Sequence, residues 1–175
     1  YLVFYVIGYN RFSGVKIQKK SPSRGQMLLE ILFSVQTIVI FLCVVQLIIY
    51  LRVNGYSMIY KDFSSYGTIY FIFSTLSLIV FHDTYFYLTH RMMHHKKLFF
   101  IHRRHHKSIN PTPWAAFSFG PIEAVIQIAW IPLAVCIVPL HFYALMLWSL
   151  YMIVMNVIGH LGYEIYPKNF LQSFF

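Results

Sequence analysis

From Met27 to Leu51 the chain runs for 25 residues with only Glu30, Gln36 and Gln46 as strongly polar groups. A helix satisfies its own backbone donors and acceptors, so such a run can sit in lipid without a solvated face. At about 1.5 Å per residue it reaches roughly 37 Å, enough to cross a hydrocarbon core of about 30 Å with some tilt. A second apolar run extends from Gly67 to about Thr89. Two more, Pro121 to Val138 and Leu140 to Gly159, flank Pro139. So short a connection predicts an antiparallel helical hairpin. The composition agrees, at 58% hydrophobic and 11% charged, where a soluble domain has about 45–50% and about 25%. The expectation is an all-α, polytopic membrane helical bundle forming one domain over residues 1–175.

The remaining segments are connections. Tyr1 to Tyr9 is apolar but too short to span, and residues 10–26 form a polar loop broken by Gly14, Pro22 and Gly25. Residues 52–66 join the first two spans. "KSINPTPW" is a break, because closely spaced prolines do not continue a helix. Cys43 and Cys136 lie singly in apolar runs without a CxxC, which argues against a disulfide frame or a thiolate metal site.

The net charge is +9, and the Lys and Arg residues fall mainly in residues 11–24 and 91–107. Basic groups that flank apolar spans report membrane orientation, so no nucleic-acid partner is expected. With loop 10–26 in the cytoplasm, the first span leaves, the second returns, and the hairpin goes out and back. Both basic groups and every histidine cluster then share the cytoplasmic face, and residues 52–66 face the other way.

Seven of the nine histidines lie between His82 and His106. His90 and His94 are spaced i, i+4 and stack on one helix face. His102, His105 and His106 form an HxxHH set. On one straight helix, at about 100° per residue, these five would fan over roughly 160°, too wide for one ion. A bend, or a second short helix starting near "KKLFF", would fold the sets together; two metals sharing the fan is the other solution. Imidazole-only donors suit iron, zinc, copper or nickel. His141, at the hairpin tip, reads as an interfacial polar group, and His95 as either a surface residue or a ligand. The competing reading is a histidine-rich membrane protein that binds metal or haem without oxygenase activity. Haem would need opposed histidines on facing helices, and transport would need polar ligands near the mid-membrane.

"HDTYFYLTHRMMHH", "IHRRHHKSINPTPWAAFSFGPIE" and "NVIGHLGYE", in that order, resemble the fatty acid hydroxylase/sterol desaturase superfamily. The resemblance implies a cytoplasmic centre of two non-haem iron ions, with zinc as a possible substitute. It also implies O2-dependent hydroxylation or desaturation of a sterol or fatty acyl lipid. Electrons would come from a separate carrier, such as a b-type cytochrome or a ferredoxin with its reductase. By motif, the metal ligands are His90, His94, His102, His105, His106 and His160, with no catalytic residue beyond them. Asp83 and Glu164 are the carboxylates placed to orient imidazoles through their N–H groups, with His82 and Asn156 as further supports.

Two departures stand out. Members of this superfamily carry another HxxHH box beyond "GHxGxE", which predicts that this chain is a fragment lacking that C-terminal box. They also often carry a histidine before the proline of "SFHP", where this chain has Gly120. The flanking Arg91, Lys96, Lys97, Arg103, Arg104 and Lys107 either attract an acidic redox protein or anionic headgroups, or simply hold the loop in the cytoplasm. Sterol, fatty acyl chain, ceramide and ether lipid all remain open as substrates.

Overall fold

The computed structural model describes residues 2–18 and 20–166. Its framework is five helices: α1 (Arg24–Val53), α2 (Gly67–Met93), α3 (Pro121–Ile128), α4 (Trp130–Ile137) and α5 (Phe142–Gly159). Among the described residues the only β features are two isolated bridges. The fold is an all-α bundle, and α1, α2 and α5 are each long and apolar enough to cross a membrane.

Helix α1 shows how the solvent shapes the packing. Ser23 caps it, its hydroxyl accepting the Gln26 N–H at 3.1 Å. Along it Glu30, Ser34 and Thr37 are buried while Leu28, Leu32 and Val35 are exposed. Spacings of four and three residues put the buried polar groups on one face. This is the reverse of a soluble helix, and it fits a protein whose outer surface meets lipid. The polar face holds the loop that follows the histidine block. Glu30 accepts the Thr112 hydroxyl at 2.6 Å, and the Ser34 hydroxyl donates to the Trp114 carbonyl at 2.5 Å.

The two ends of the bundle differ. At one end Gln18 donates to the Ile109 carbonyl, Gln26 to that of Asn110, and the Ile17 N–H to that of Gly162. The polar N-terminal loop, the histidine block and the end of α5 therefore lie together, on one side of the bundle as the charge pattern predicts. At the other end Tyr60 bridges the hairpin tip: its N–H donates to Leu140, and its carbonyl accepts from Phe142. Between them lies a core of Leu78, Trp130, Ile131, Val135, Leu140 and Trp148.

Two expectations need correction. The third apolar run is not one continuous span but two eight-residue helices that meet at Ala129. Pro132 explains the break, because its ring clashes with the carbonyl of residue 128 and it has no N–H to donate. His141 is not an interfacial surface group. It is fully buried; its Nδ1 accepts the Tyr143 N–H at 3.0 Å and caps α5, while its Nε2–H donates to the Lys61 carbonyl at 3.0 Å. Its ring stacks on Phe63 with centroids 4.1 Å apart. An imidazole here therefore fastens the 54–66 connection to the hairpin tip.

His141→Ala removes a helix cap, a buried hydrogen bond and a stacked ring together. The expected cost is about 2 kcal/mol or more, read as a lower midpoint of thermal unfolding in detergent. His141→Asn restores a capping acceptor and should recover part of the loss.

Candidate metal centre

The last turn of α2 carries His90, and His94 is its C-terminal capping residue. Their Nε2 atoms are 3.1 Å apart. The helix stops there. A tight turn follows, in which the Leu98 and Phe99 N–H groups both donate to the His95 carbonyl, and a single helical turn, Phe99–His102, runs back. His102 thereby lies against the first pair, its ring centroid 4.4 Å from that of His90 and 5.0 Å from that of His94. A short 3-10 turn, His105–Lys107, then brings the Nε2 of His106 to 3.2 Å from that of His94. One ligand nitrogen from each of His90, His94, His102 and His106 lies within 4.8 Å of the others. The reversal after α2 is the bend expected near "KKLFF", and it collapses the fan of a straight helix into one cluster.

A second pair adjoins it. His105 stacks beside His102, with centroids 5.3 Å apart, and its Nε2 lies 3.2 Å from the Nε2 of His160 at the end of α5. The α5 hairpin therefore brings His160 back to the histidine block.

The donor set fits a transition metal in three ways. Nitrogens bound to one ion at about 2.0–2.1 Å lie roughly 3–3.4 Å from one another, the separation of the close pairs here. The tautomers of two histidines are set by their outer partners. His160 Nδ1–H donates to the Asn156 carbonyl at 2.8 Å, and His102 Nδ1–H donates to Glu123 Oε1 at 2.5 Å. Both bonds leave Nε2 with its lone pair free for a metal. Finally, the buried His102 Nε2, which faces the cluster, has no hydrogen-bond partner among the described residues. Burial, reinforced by the neighbouring imidazoles of His160, His102, His106 and His90, pushes His105 down to about 3. Burial and the His102 and His94 rings lower His106 as well. Neutral rings are the ligating form.

Glu123 is the functional residue that sequence reasoning missed. It is fully buried, and while Oε1 holds His102, Oε2 accepts the Gly120 N–H at 3.3 Å. The available signal was a single carboxylate in a largely apolar helix, which must find a buried partner. Gly120 allows the approach. A Cβ there would lie 2.9 Å from the Ile101 carbonyl oxygen, so the backbone before His102 occupies the space a side chain would need.

The other expected supports have different partners. Asp83 accepts from the Tyr151 hydroxyl at 2.8 Å rather than from an imidazole. Glu164 accepts the Tyr166 N–H, and its own N–H is bonded to the Val15 carbonyl, so among the described residues no imidazole holds it. Asn156 serves His160 through its backbone carbonyl, while its amide side chain donates to the Met152 sulfur. His82 is buried, its ring against those of Trp130 and Trp148. His95 is exposed, and its Nδ1 faces the Lys97 N–H. Between α2 and α5 a cleft of about 400 Å³ opens onto His90, His105 and His160.

The fatty acid hydroxylase family profile matches residues 75–175. Over 77 residues the chain is 35% identical to Delta(7)-sterol 5(6)-desaturase ERG3B of Gibberella zeae, covering 43% of this chain and 24% of that protein. Over 121 residues it is 31% identical to lathosterol oxidase of Homo sapiens, covering 67% and 40% respectively. It is 30% identical over 121 residues to Delta(7)-sterol 5(6)-desaturase of Candida glabrata, covering 67% and 33%. The chain thus spans 24% to 40% of the length of these relatives. No solved structure matches it.

Two measurements probe the centre. Glu123→Ala frees the His102 ring and should weaken metal affinity about 10–100-fold, with helicity retained; competition with a chromogenic chelator reads this. The metal-free fold favours neutral His105, so that stabilisation is complete above about pH 6.5, the ordinary histidine value, and declines as pH falls towards about 3. Thermal unfolding of stripped protein should therefore move to lower temperature between pH 7.5 and 4.5, and move less in His105→Ala.

Proposed function

Because the chain belongs to the fatty acid hydroxylase family, we propose that it forms the metal-bearing part of a membrane-bound lipid hydroxylase or desaturase that uses O2 and external electrons. The observation that carries this reading is the four-imidazole cluster, with a second imidazole pair beside it, at the mouth of a cleft between two membrane-length helices. Sterols are the substrate class favoured by the names of the relatives.

In this reading His90, His94, His102 and His106 hold one non-haem iron, and His105 and His160 contribute to a second. Bound iron supplies the activation of O2 and the removal of hydrogen from an unactivated carbon. Zinc can occupy the same nitrogens.

The chain's own residues do the positioning. Glu123 and the Asn156 carbonyl keep the two rings they hold turned with Nε2 free. Phe86 and Met152 give part of the cleft an apolar lining, while α2 and α5 leave it open for a lipid to enter sideways. Hydroxylation and desaturation differ in where the target C–H rests against the centre, which the shape of the cleft controls. The exposed Lys96, Lys97, Arg103 and Lys107 surround the histidine end. They give an acidic redox protein a docking field, and their positive charge favours a cytoplasmic position for that end in a multi-pass protein.

Elemental analysis and an absorption spectrum of the full-length protein in detergent test the reading. About two irons per chain, no haem band and sterol-dependent O2 consumption are expected; no bound metal would overturn it. His105→Ala should lose bound iron and turnover while membrane insertion persists. Unchanged turnover would remove His105 from the ligand set.

A further inference from the structure

We propose that the pocket between the second histidine turn and the start of α3 binds the phosphate of an anionic glycerophospholipid, held by Arg103 and Arg104. The site goes beyond the lipid-oxidising reading above. It takes a membrane lipid by its headgroup, outside the cleft between α2 and α5, and does not depend on bound iron.

The pocket has a volume of about 170 Å³, and Phe100, Arg103, Arg104, Gly120 and Ile122 are among the residues that line it. Its level in the bilayer follows from its neighbours. The Arg104 guanidinium lies over the Phe33 ring of α1, 5.0 Å from the centroid. Phe33 follows Arg24, the first residue of that membrane-length helix, by nine residues, or about 13 Å along the axis. Phe100 and Ile122 are exposed at 58% and 54%, and Val125, one turn further along α3, at 49%. The cationic groups thus adjoin an apolar surface, where an arginine stem follows the lipid and its charge stays near the phosphate layer.

The chain does not neutralise these arginines itself. It has five Asp and Glu side chains, and other groups hold all of them. Glu30 accepts from Gln26 and Thr112, Asp62 from the Ser64 N–H, and Asp83 from Tyr151. Glu123 holds His102 and the Gly120 N–H, and Glu164 the Tyr166 N–H. Among the described residues neither guanidinium pairs with a carboxylate. Arg104 is also half-buried, so water serves it less well than it serves the exposed lysines nearby. The Ile122 N–H adds a donor, because the second residue of a helix has no acceptor within that helix.

These groups specify the ligand. Guanidinium forks match phosphate oxygens two at a time. The cavity is smaller than the roughly 300–1,000 Å³ of small-molecule pockets, so it has room for a headgroup and not for a whole lipid. The exposed Phe100, Ile122 and Val125 give the acyl chains a surface to follow. A basic pocket between membrane helices is a recurring setting for anionic headgroups. A choline headgroup would bring its own cation towards the arginines, which disfavours a zwitterionic lipid. A bound anionic headgroup would fasten the turn between His102 and His105 to the bilayer surface.

The test titrates the full-length protein, in neutral detergent micelles, with dioleoyl phosphatidylglycerol or dioleoyl phosphatidylcholine. Native mass spectrometry counts the bound lipid. Phosphatidylglycerol should bind at about one molecule per chain and about tenfold tighter than phosphatidylcholine. Arg103→Gln combined with Arg104→Gln should abolish that preference. Lys96→Gln combined with Lys97→Gln removes the same charge from outside the pocket and should leave it intact. Equal affinity of the two lipids for the unmodified chain overturns the proposal without reliance on any variant. An equal loss of preference in the two double variants also overturns it, because diffuse charge would then suffice. Displacement of the lipid by millimolar inorganic phosphate assigns the pocket to a soluble anion and overturns the membrane ligand. Iron measured in the same samples separates this site from the oxygenase reading: lipid preference without iron overturns the oxygenase alone, and iron without preference overturns the headgroup site alone.

Discussion

The contact between His102 and Glu123 is the one on which the centre's geometry rests. Both side chains are fully buried, at 2.5 Å from Nδ1 to Oε1. Breaking such a pair would strand a polar group in the core, so the structure holds it firmly. That contact ties the turn after α2 to the first turn of α3, and it turns Nε2 of His102 towards His90, His94 and His106. The same carboxylate also caps its own helix through the Gly120 N–H. One residue therefore closes a helix end, anchors a loop and orients an imidazole.

A second, broader constraint is the inverted distribution of polarity. The groups that α1 buries are Glu30, Ser34 and Thr37, and two of these bind the 112–114 backbone or side chain. The apolar side chains look outward. Polar contacts do the joining here, because lipid gives apolar surfaces little reason to leave it. Where apolar packing does concentrate, it is aromatic: Trp130 and Trp148 meet edge to face at 5.4 Å, with His82 between them and the cleft.

Much of this was legible in the residue order. Long apolar runs forced helices, three of the four expected spans are membrane-length in the structure, and the HxxxH and HxxHH spacings forced either a bend or two metals. The third run was misjudged because an apolar stretch reports burial but not continuity, and Pro132 carried the information about the break. His141 was misjudged because an imidazole at a turn looks alike whether it caps a helix or faces solvent; only the packing of Phe63 and the Lys61 carbonyl decides. Glu123 escaped because its partner lies 21 residues away, and carboxylates nearer in sequence to the histidines, Asp83 and Glu164, drew attention instead.

The placement of His105 and His160 has a mechanical consequence. They come from stretches 55 residues apart and meet across the open end of the α2–α5 pair, while Tyr60 and His141 lock the opposite end. An ion held by those two nitrogens would therefore tie the turn after α2 to the end of α5 at the end of the pair opposite the Tyr60 and His141 fastening.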